Sequence, residues 1–320
     1  MLIQNCMKKG SRVHEGFEAK AADFSHNNCA IMSGTNAQGE QVRRQARYIV
    51  DATGRQAFLA NPFSAKRRNL HHNSTSIFGH FEGVMRHSGR DEGNSSLCWF
   101  EHGWFWIIPL PDGVTSVGMV CWPSYLKSRK TALEDFFWET VHGSRPMANR
   151  MLKAKAIMPI VATGNHSYQS SVMTGSQFML VGDAFACVDP ILSSGVHLAL
   201  HSGIQGAEVV EAYLHGHSQA GQKAKDFEAT VIHGLKIYSW FIYRITPPAF
   251  RNLAMAPKNY FRIHEAISSV LSGDVFGATP VKLPLFLFTC LYYLKALLDL
   301  KANLGQYRRR KHAVEQESMA

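Results

Sequence analysis

The sequence predicts an α+β chain, in which strand–turn–helix segments of α/β type are interleaved with an antiparallel sheet and followed by helices. Three observations carry that expectation. Residues 180–200, LVGDAFACVDPILSSGVHLAL, read as the end of a buried strand, a turn and the start of a helix. Residues 70–125 contain three alternating runs, STSIFGHFEGV, SLCWFEHGWFWIIPL and VTSVGMVCW, the pattern of antiparallel strands. Beyond residue 195 the apolar residues recur mainly at helical spacing.

Taken in order, the opening LIQNCMKKGSRVHEGFEAKAADF reads as the end of a helix running into a strand. Residues 11–55 read as three strands, with turns at Asn27-Asn28 and between Gly34 and Gly39, ending at Asp51. In the sheet region Pro111-Asp112-Gly113 supplies a turn, because Pro presets one dihedral and Gly takes the other. Residues 129–155 have helical spacing, with Leu133, Phe136, Phe137 and Val141 on one side. The run Phe178-Met179-Leu180-Val181 marks a strand that stops at Gly182-Asp183. Ser193-Ser194-Gly195 marks a helix start, with Val196, Leu200, Ile204 and Ala207 as its apolar positions.

Near the end, LPLFLFTCLYYLKALL (283–298) is interrupted at Lys295 and falls short of the ~20 residues a spanning helix needs. A helix packed on the domain is favoured over a surface-membrane anchor aided by Arg308-Arg309-Arg310-Lys311. The tail 311–320 is polar and is expected to be disordered.

A 35.8 kDa chain with 46% hydrophobic and 18% charged residues can bury a substantial core. Cys6, Cys29, Cys98, Cys121, Cys187 and Cys290 form no Cys-x-x-Cys pair, and no secretory leader is read. Reduced, mostly buried thiols in a cytoplasmic enzyme are therefore expected. The net charge of +10 is clustered at Arg43, Arg44 and Arg47, at Lys66, Arg67 and Arg68, and at 308–311. These are read as solvated faces. No nucleic-acid-binding module is visible, so no nucleic-acid partner is expected.

Candidate chemistry concentrates at strand ends and one helix start. A carboxylate at the end of a strand, as at Asp183, can accept hydrogen bonds from sugar hydroxyls. The N–H groups at Ser193-Ser194-Gly195 can face an anion or a planar ring. The bland alternative is a strand–turn–helix corner in which Asp183 and the serines serve as caps. Trp104, Trp106 and Ile108 share one strand face, with Phe105 and Ile107 on the other, which by itself indicates only a strand buried on both sides. His197 and His201 lie four apart, but with no third ligand in view no metal site is expected. Neither a Gly-x-Ser-x-Gly elbow nor a P-loop occurs.

Three segments together resemble the flavin-dependent halogenases, relatives of the FAD monooxygenases with the p-hydroxybenzoate hydroxylase type of fold. Gly182-Asp183-Ala184 followed by Asp189-Pro190-x-x-Ser193-Ser194-Gly195-Val196-His197-Leu198-Ala199 is similar to the family's second flavin motif. Trp104-Phe105-Trp106-Ile107-Ile108-Pro109 matches its Trp-x-Trp-x-Ile-Pro motif. Tyr48-Ile49-Val50-Asp51-Ala52-Thr53-Gly54-Arg55 matches a strand-end segment found in many FAD enzymes.

The resemblance implies an FAD-binding α/β domain interleaved with a substrate-side antiparallel sheet. Residues 1–65 would be the remainder of the FAD domain, 66–170 the sheet domain, 171–215 the returning strand and helix, and 216–310 a helical region. Asp51, Gly54, Gly182, Asp183, Pro190 and Val196 would hold FAD. Ser193, Ser194 and Gly195 would hold chloride or bromide, and Trp104, Trp106 and Pro109 would wall the flavin from the substrate. A partner flavin reductase would supply reduced FAD. The substrate would be an aromatic, phenol- or pyrrole-type molecule, free or tethered to a carrier protein. Tryptophan-acting relatives carry Glu at the position of Leu192, so free tryptophan is not the expected substrate. Cys187 stands where the family usually has Phe.

No Gly-x-Gly-x-x-Gly turn occurs in these 320 residues, and no lysine here matches the family's relay lysine. The FAD domain is thus expected to be incomplete at its N-terminus, and the chain to be a fragment of such an enzyme or a non-catalytic remnant acting as a binding protein. An FAD-dependent aromatic monooxygenase is the alternative enzyme reading, and the Trp motif argues against it.

Overall fold

The computed structural model describes residues 1–299 except 27–28, 64, 70–72, 165–166, 246–247, 255–258 and 278. Its first elements are α1 (Leu2–Lys8), β1 (Glu18–Asp23), β2 (Ala30–Thr35), β3 (Gln41–Ala46), β4 (Ile49–Asp51) and β5 (Lys66–Arg68). Then come β6 (Thr75–Glu82), β7 (Ser96–Phe100), β8 (Gly103–Pro109), β9 (Thr115–Cys121), α2 (Pro123–Lys127), α3 (Leu133–His142) and α4 (Arg145–Met151). Short strands follow: β10 (Lys155–Ala156), β11 (Val161–Gly164), β12 (Tyr168–Ser170), β13 (Phe178–Leu180) and β14 (Ala186–Cys187). The chain continues through α5 (Gly195–Leu214), α6 (Ala220–Ile242), α7 (Pro248–Ala254), α8 (Ile263–Leu271) and α9 (Lys282–Leu298). This mixture of antiparallel sheets and helices is the α+β class the sequence predicts.

Two compact units divide the chain. The first comprises Met1–Lys66, Ser170–Phe185 and Val196–Ile232. Here β1, β2 and β3 form an antiparallel sheet, and β4 pairs in parallel with β13, Val50 opposite Met179. Helix α5 lies directly on β13, for a Cβ at Gly206 would come within 2.8 Å of the Met179 sulfur. Phe178 also closes an aromatic cluster, its ring centroid 5.1 Å from both Phe24 and Phe63.

That contact overturns one expectation. Val196, Leu200, Ile204 and Ala207 do not form the buried side of α5; Val196 is 72% and Ile204 69% exposed. The buried positions are Leu198, Ser202, Gly206, Val209 and Ala212. Ser202 and Gly206 lie where the helix meets the strand, because the two backbones approach closely there, while Leu198 and Val209 are buried to either side.

The second unit comprises Arg67–Gln169, Ala186–Gly195 and the chain from His233 onward. Its antiparallel sheet runs β10-β6-β9-β8-β7, with β11 also pairing β6. Ile77, Phe81, Phe105, Ile107, Val117 and Met119 turn one face toward Phe136, Phe137 and Val141 of α3 and Met147 and Met151 of α4. Phe81 and Phe137 stack with centroids 5.7 Å apart. Burying each such ring contributes about 1.5–3 kcal/mol, so α3 and α4 hold the sheet flat side inward. A second core joins the end of α6 to α7, α8 and α9 through Phe241, Phe250 and Phe288.

Several local expectations are refined. The run 96–110 is a hairpin rather than one strand, β7 turning into β8 at Glu101-His102. At Pro111-Asp112-Gly113 both Asp112 (φ 57°) and Gly113 (φ 77°) are left-handed, because the turn must match the twist of β8 and β9. Only Cys121 and Cys187 are buried, while Cys6 and Cys290 are exposed, so the cysteines form no disulfide and are not mostly buried. The expected turn at Asn27-Asn28 and the tail 311–320 lie outside the described residues.

Candidate functional site

Within the first unit, the end of β4 is a tightly wired turn. Asp51 is buried and its carboxylate accepts three hydrogen bonds, from Thr53 N (2.9 Å), Thr53 Oγ1 (2.7 Å) and Leu59 N (2.7 Å). Those bonds fold residues 53–59 back on the strand and place Gly54, with φ 61°, at a position where no atom comes within 4 Å of a would-be Cβ. The Asp51 carbonyl also accepts the Val181 N–H at 3.0 Å, tying this turn to the end of β13.

The strand β13 ends in a 3-10 turn, Gly182–Ala184. Gly182 has φ 55°, and a Cβ there would stand 2.9 Å from the Ala199 Cβ on α5. Its N–H donates to Ser202 Oγ at 2.9 Å. Glycine is required twice over, by the left-handed backbone and by the helix pressed against it. Asp183, the next residue, is half-buried in that turn.

The second unit contains the turn that leads into α5. Asp189 is only 2% exposed. It accepts Ser74 Oγ at 2.6 Å on one carboxylate oxygen and Ile191 N at 3.2 Å on the other. Pro190 begins a 3-10 turn through Leu192, and Ser193 closes it in the left-handed region at φ 52°, its N–H bonded to the Pro190 carbonyl at 2.8 Å. Gly195 is then the first residue of α5. Ser194 is 4% exposed, and its Oγ has no hydrogen-bond partner among the described residues. Ser194 therefore does not cap the helix through its side chain; a buried, unmatched hydroxyl sits at the positive end of a 20-residue helix.

On the same unit's sheet, Trp104 and Trp106 lie 6.0 Å apart at 52°. Trp106 Nε1 donates to Ser116 Oγ at 3.1 Å. Trp106 pairs across the ladder with Gly118, where a Cβ would overlap both its indole and Phe78. The glycine makes the space in which the indole lies flat on β9. On this face of β8 Trp104 is buried, Trp106 half-buried and Ile108 exposed, so it is covered unevenly; Pro109, at the strand's end, is half-buried.

Ser74, Ser202 and Gly118 escaped the sequence reading, and Asp189 entered it only as part of the second flavin motif, with no role of its own. An Asp before Pro at a helix entry is a usable turn signal, but no local feature links it to Ser74 or links Gly118 to Trp106. His197 and His201 approach to 6.1 Å between ring centroids, and burial followed by the charge of His197 lowers the pKa of His201. Among the described residues no three His, Cys, Asp or Glu side chains are grouped to hold a metal ion. An open apolar groove of about 420 Å³ on the first unit, lined by Val50, Met179, Val181, Gly203, Gly206 and Ala207 among others, includes none of the expected site residues.

A family model described as tryptophan halogenase matches residues 2–245. The chain belongs to this family of flavin-dependent halogenases. Over 221 residues it is 30% identical to a tryptophan 2-halogenase of Chondromyces crocatus, covering 68% of this chain and 42% of that protein. It is 26% identical over 288 residues to a 1H-pyrrole-2-carbonyl-[peptidyl-carrier protein] chlorinase of Pseudomonas fluorescens, covering 87% and 62%. The chain thus spans about half the length of the curated relatives it matches. A flavoprotein/dehydrogenase from Cytophaga hutchinsonii superposes with a TM-score of 0.81 at 22% identity, covering 93% of this chain and 73% of that one. The fold is therefore that of the halogenase family's structural neighbours.

Proposed function

We propose that this chain carries the halide and substrate side of a flavin-dependent halogenase, acting on an aromatic phenol- or pyrrole-type compound when joined to the remaining length of its relatives. The observation that carries the reading is Ser194. A buried hydroxyl without a partner among the described residues, at a helix N-terminus, is a donor waiting for an acceptor, and chloride or bromide is an acceptor of the right size and charge.

The residues also fit a flavin nucleotide. Gly54 offers open, side-chain-free space at the end of β4, and Gly182 brings the Asp183 carboxylate to the end of β13. Asp183 would accept hydrogen bonds from the ribityl or ribose hydroxyls, and Pro190 with Val196 would border the ring. Asp51 would act at one remove, by holding the loop that presents Gly54. Reduced FAD with oxygen would supply the oxidising equivalent that converts halide to hypohalous acid. Ser194 and the Gly195 N–H would hold the halide ion, and Ser193, fixed in its left-handed turn, would set the angle at which α5 begins. Trp104, Trp106 and Pro109 would keep the organic substrate from the flavin. Leu192, half-buried and apolar, offers no acceptor for an indole N–H, which favours a phenol or pyrrole over free tryptophan. The similarity to a chlorinase of a carrier-tethered pyrrole supports a tethered substrate, for which the basic surface of a +10 chain suits an acidic carrier.

The apolar groove and the exposed side of α5 lie beside β4, whose described partner is β13 alone. We place there the strand and helix that carry the Gly-x-Gly-x-x-Gly turn in proteins of this kind. A separate flavin reductase and a cytoplasmic location complete the proposal. The test is product mass: the extended protein, given reduced FAD, oxygen and a phenol or pyrrole panel, should add bromine when bromide is present. Hydroxylated product in equal yield with and without bromide would favour the aromatic monooxygenase.

A further inference from the structure

Three side chains of the second unit converge where α4 ends beside the edge of the sheet. Ser96 opens β7, the end strand, and pairs with Ile107 of β8. Paired residues point to the same side of a sheet, so Ser96 shares with Ile107 the side that faces α3 and α4. Arg150 stands in the last turn of α4, and His87 follows β6. Arg150 Nη1 donates to Ser96 Oγ at 2.9 Å, and Ser96 Oγ lies 2.8 Å from His87 Nε2. Arg150 Nη2 lies 3.1 Å from that same nitrogen. The Arg150 carbonyl accepts the Met85 N–H at 2.9 Å, which fixes the end of α4 against the segment leading to His87.

This cluster holds more donors than acceptors. With His87 Nε2 unprotonated, its single lone pair faces both the Ser96 hydroxyl and an Arg150 N–H, and the cluster answers only one of them. With Nε2 protonated, it donates to Ser96 Oγ and meets the Arg150 N–H head on. In both cases a permanent positive charge is met by neutral atoms alone. Among the described residues no carboxylate lies within ion-pairing distance of Arg150, although its side chain is half-buried. Asp91 and Glu92, between His87 and Ser96 in sequence, form no ion pair among those residues either, and Asp91 accepts from Asn94 Nδ2 at 2.8 Å. The Arg150 charge is felt as far as Cys98, where it works against the burial that raises that thiol.

We propose that Arg150, Ser96 and His87 form a binding site for the phosphate group of a phosphate ester. An anion supplies the acceptors that the cluster lacks, and its charge answers that of Arg150. Donors arriving from a helix, a strand and a loop suit a tetrahedral anion, whereas a planar carboxylate would be filled by the arginine fork alone. A serine hydroxyl 2.8 Å from an imidazole is also the arrangement of acyl transfer. Here, however, Arg150 contends for the Nε2 lone pair, and among the described residues no group hydrogen-bonds His87 Nδ1 to orient the ring. Two sources carry the phosphate chemistry: a small phosphorylated molecule, which is a monoester, and the phosphodiester by which a carrier protein holds a tethered substrate. The second source rests on the proposal of a carrier-tethered substrate; the site itself does not.

The test is calorimetric titration of the 320-residue chain with inorganic phosphate, glycerol phosphate, dimethyl phosphate and acetate at matched ionic strength. We expect saturable phosphate binding that is roughly tenfold weaker in Arg150→Gln and weakened also in His87→Ala. Acetate should bind the parent chain roughly tenfold more weakly than phosphate does. Arg150→Lys should recover little of the affinity, because an ammonium lacks the planar fork. Should Arg150→Gln fail to fold by circular dichroism, His87→Ala and Ser96→Ala give the answer. Glycerol phosphate bound without dimethyl phosphate would assign the site to a free monoester and remove the carrier tether, while comparable binding of both would assign it to the diester. Phosphate that does not saturate, folded variants that bind it as the parent does, or acetate bound as tightly as phosphate would overturn the proposal.

Discussion

Ser74 donates a 2.6 Å hydrogen bond to the carboxylate of Asp189, and both residues are buried. The bond joins the approach to β6 to the turn that sets α5 on its course, across 115 residues of sequence. The same carboxylate receives the Ile191 N–H, so Asp189 holds the turn before Ser193 from two sides.

Ser74→Ala should lower stability by about 1–3 kcal/mol, because a buried carboxylate oxygen loses a donor. Asp189→Ala should lower it at least as much, and the double variant should be far from additive. Urea unfolding of the four proteins measures this. Strict additivity would mean the two side chains act independently.

Gly118→Ala should destabilise the second unit by about 1–3 kcal/mol, since the added methyl overlaps the Trp106 indole and Phe78. Trp106→Phe placed in the Gly118→Ala background should recover part of the loss, as the smaller ring frees space. A shift in urea midpoint gives both numbers. An unchanged midpoint for Gly118→Ala would show that the indole does not rest on that glycine.

Burial pushes the Cys121 thiol up to about 12, from an ordinary value near 9. The folded state therefore binds this proton more tightly than the unfolded state does. The resulting stability is complete below pH 9 and declines between about pH 9 and 12, at ~1.4 kcal/mol per pH unit. Tyr48, raised mainly by burial, acts in the same direction. Cys121→Ala should flatten the alkaline fall in melting temperature relative to the parent chain. Equal slopes in the two proteins would place the ionisation elsewhere.

Much of this structure was legible from local residues. The Ser193-Ser194-Gly195 run marked where α5 starts, at Gly195, because small polar residues and Gly favour helix entry. Alternation revealed β6, β8 and β9. The buried face of α5 was not legible: Val196, Leu200 and Ile204 carry the stronger apolar signal, and only the nearness of β13 explains why Ser202 and Gly206 are inside. The α3–α4 break at Gly143-Ser144 needed the Pro146 signal as well as hydrophobic spacing. At the candidate site the motifs pointed to the residues, but the unpaired state of Ser194 Oγ and the Ser74–Asp189 bond belong to tertiary contact. No window of sequence contains them.

The most direct measurement concerns Ser194. Its hydroxyl makes no bond to the described residues that Ser194→Ala could remove, so the variant should match or slightly exceed the parent in stability rather than lose the ~1 kcal/mol of a helix cap. Crystals of the extended protein with FAD, soaked in bromide and measured at the bromine absorption edge, should show an anomalous peak within hydrogen-bonding distance of Ser194 Oγ and the Gly195 N–H. In Ser194→Ala crystals at the same bromide concentration that peak should be weak or missing. A peak of equal height in both crystals, or bromide bound elsewhere with none at the head of α5, would contradict the halide role of Ser194.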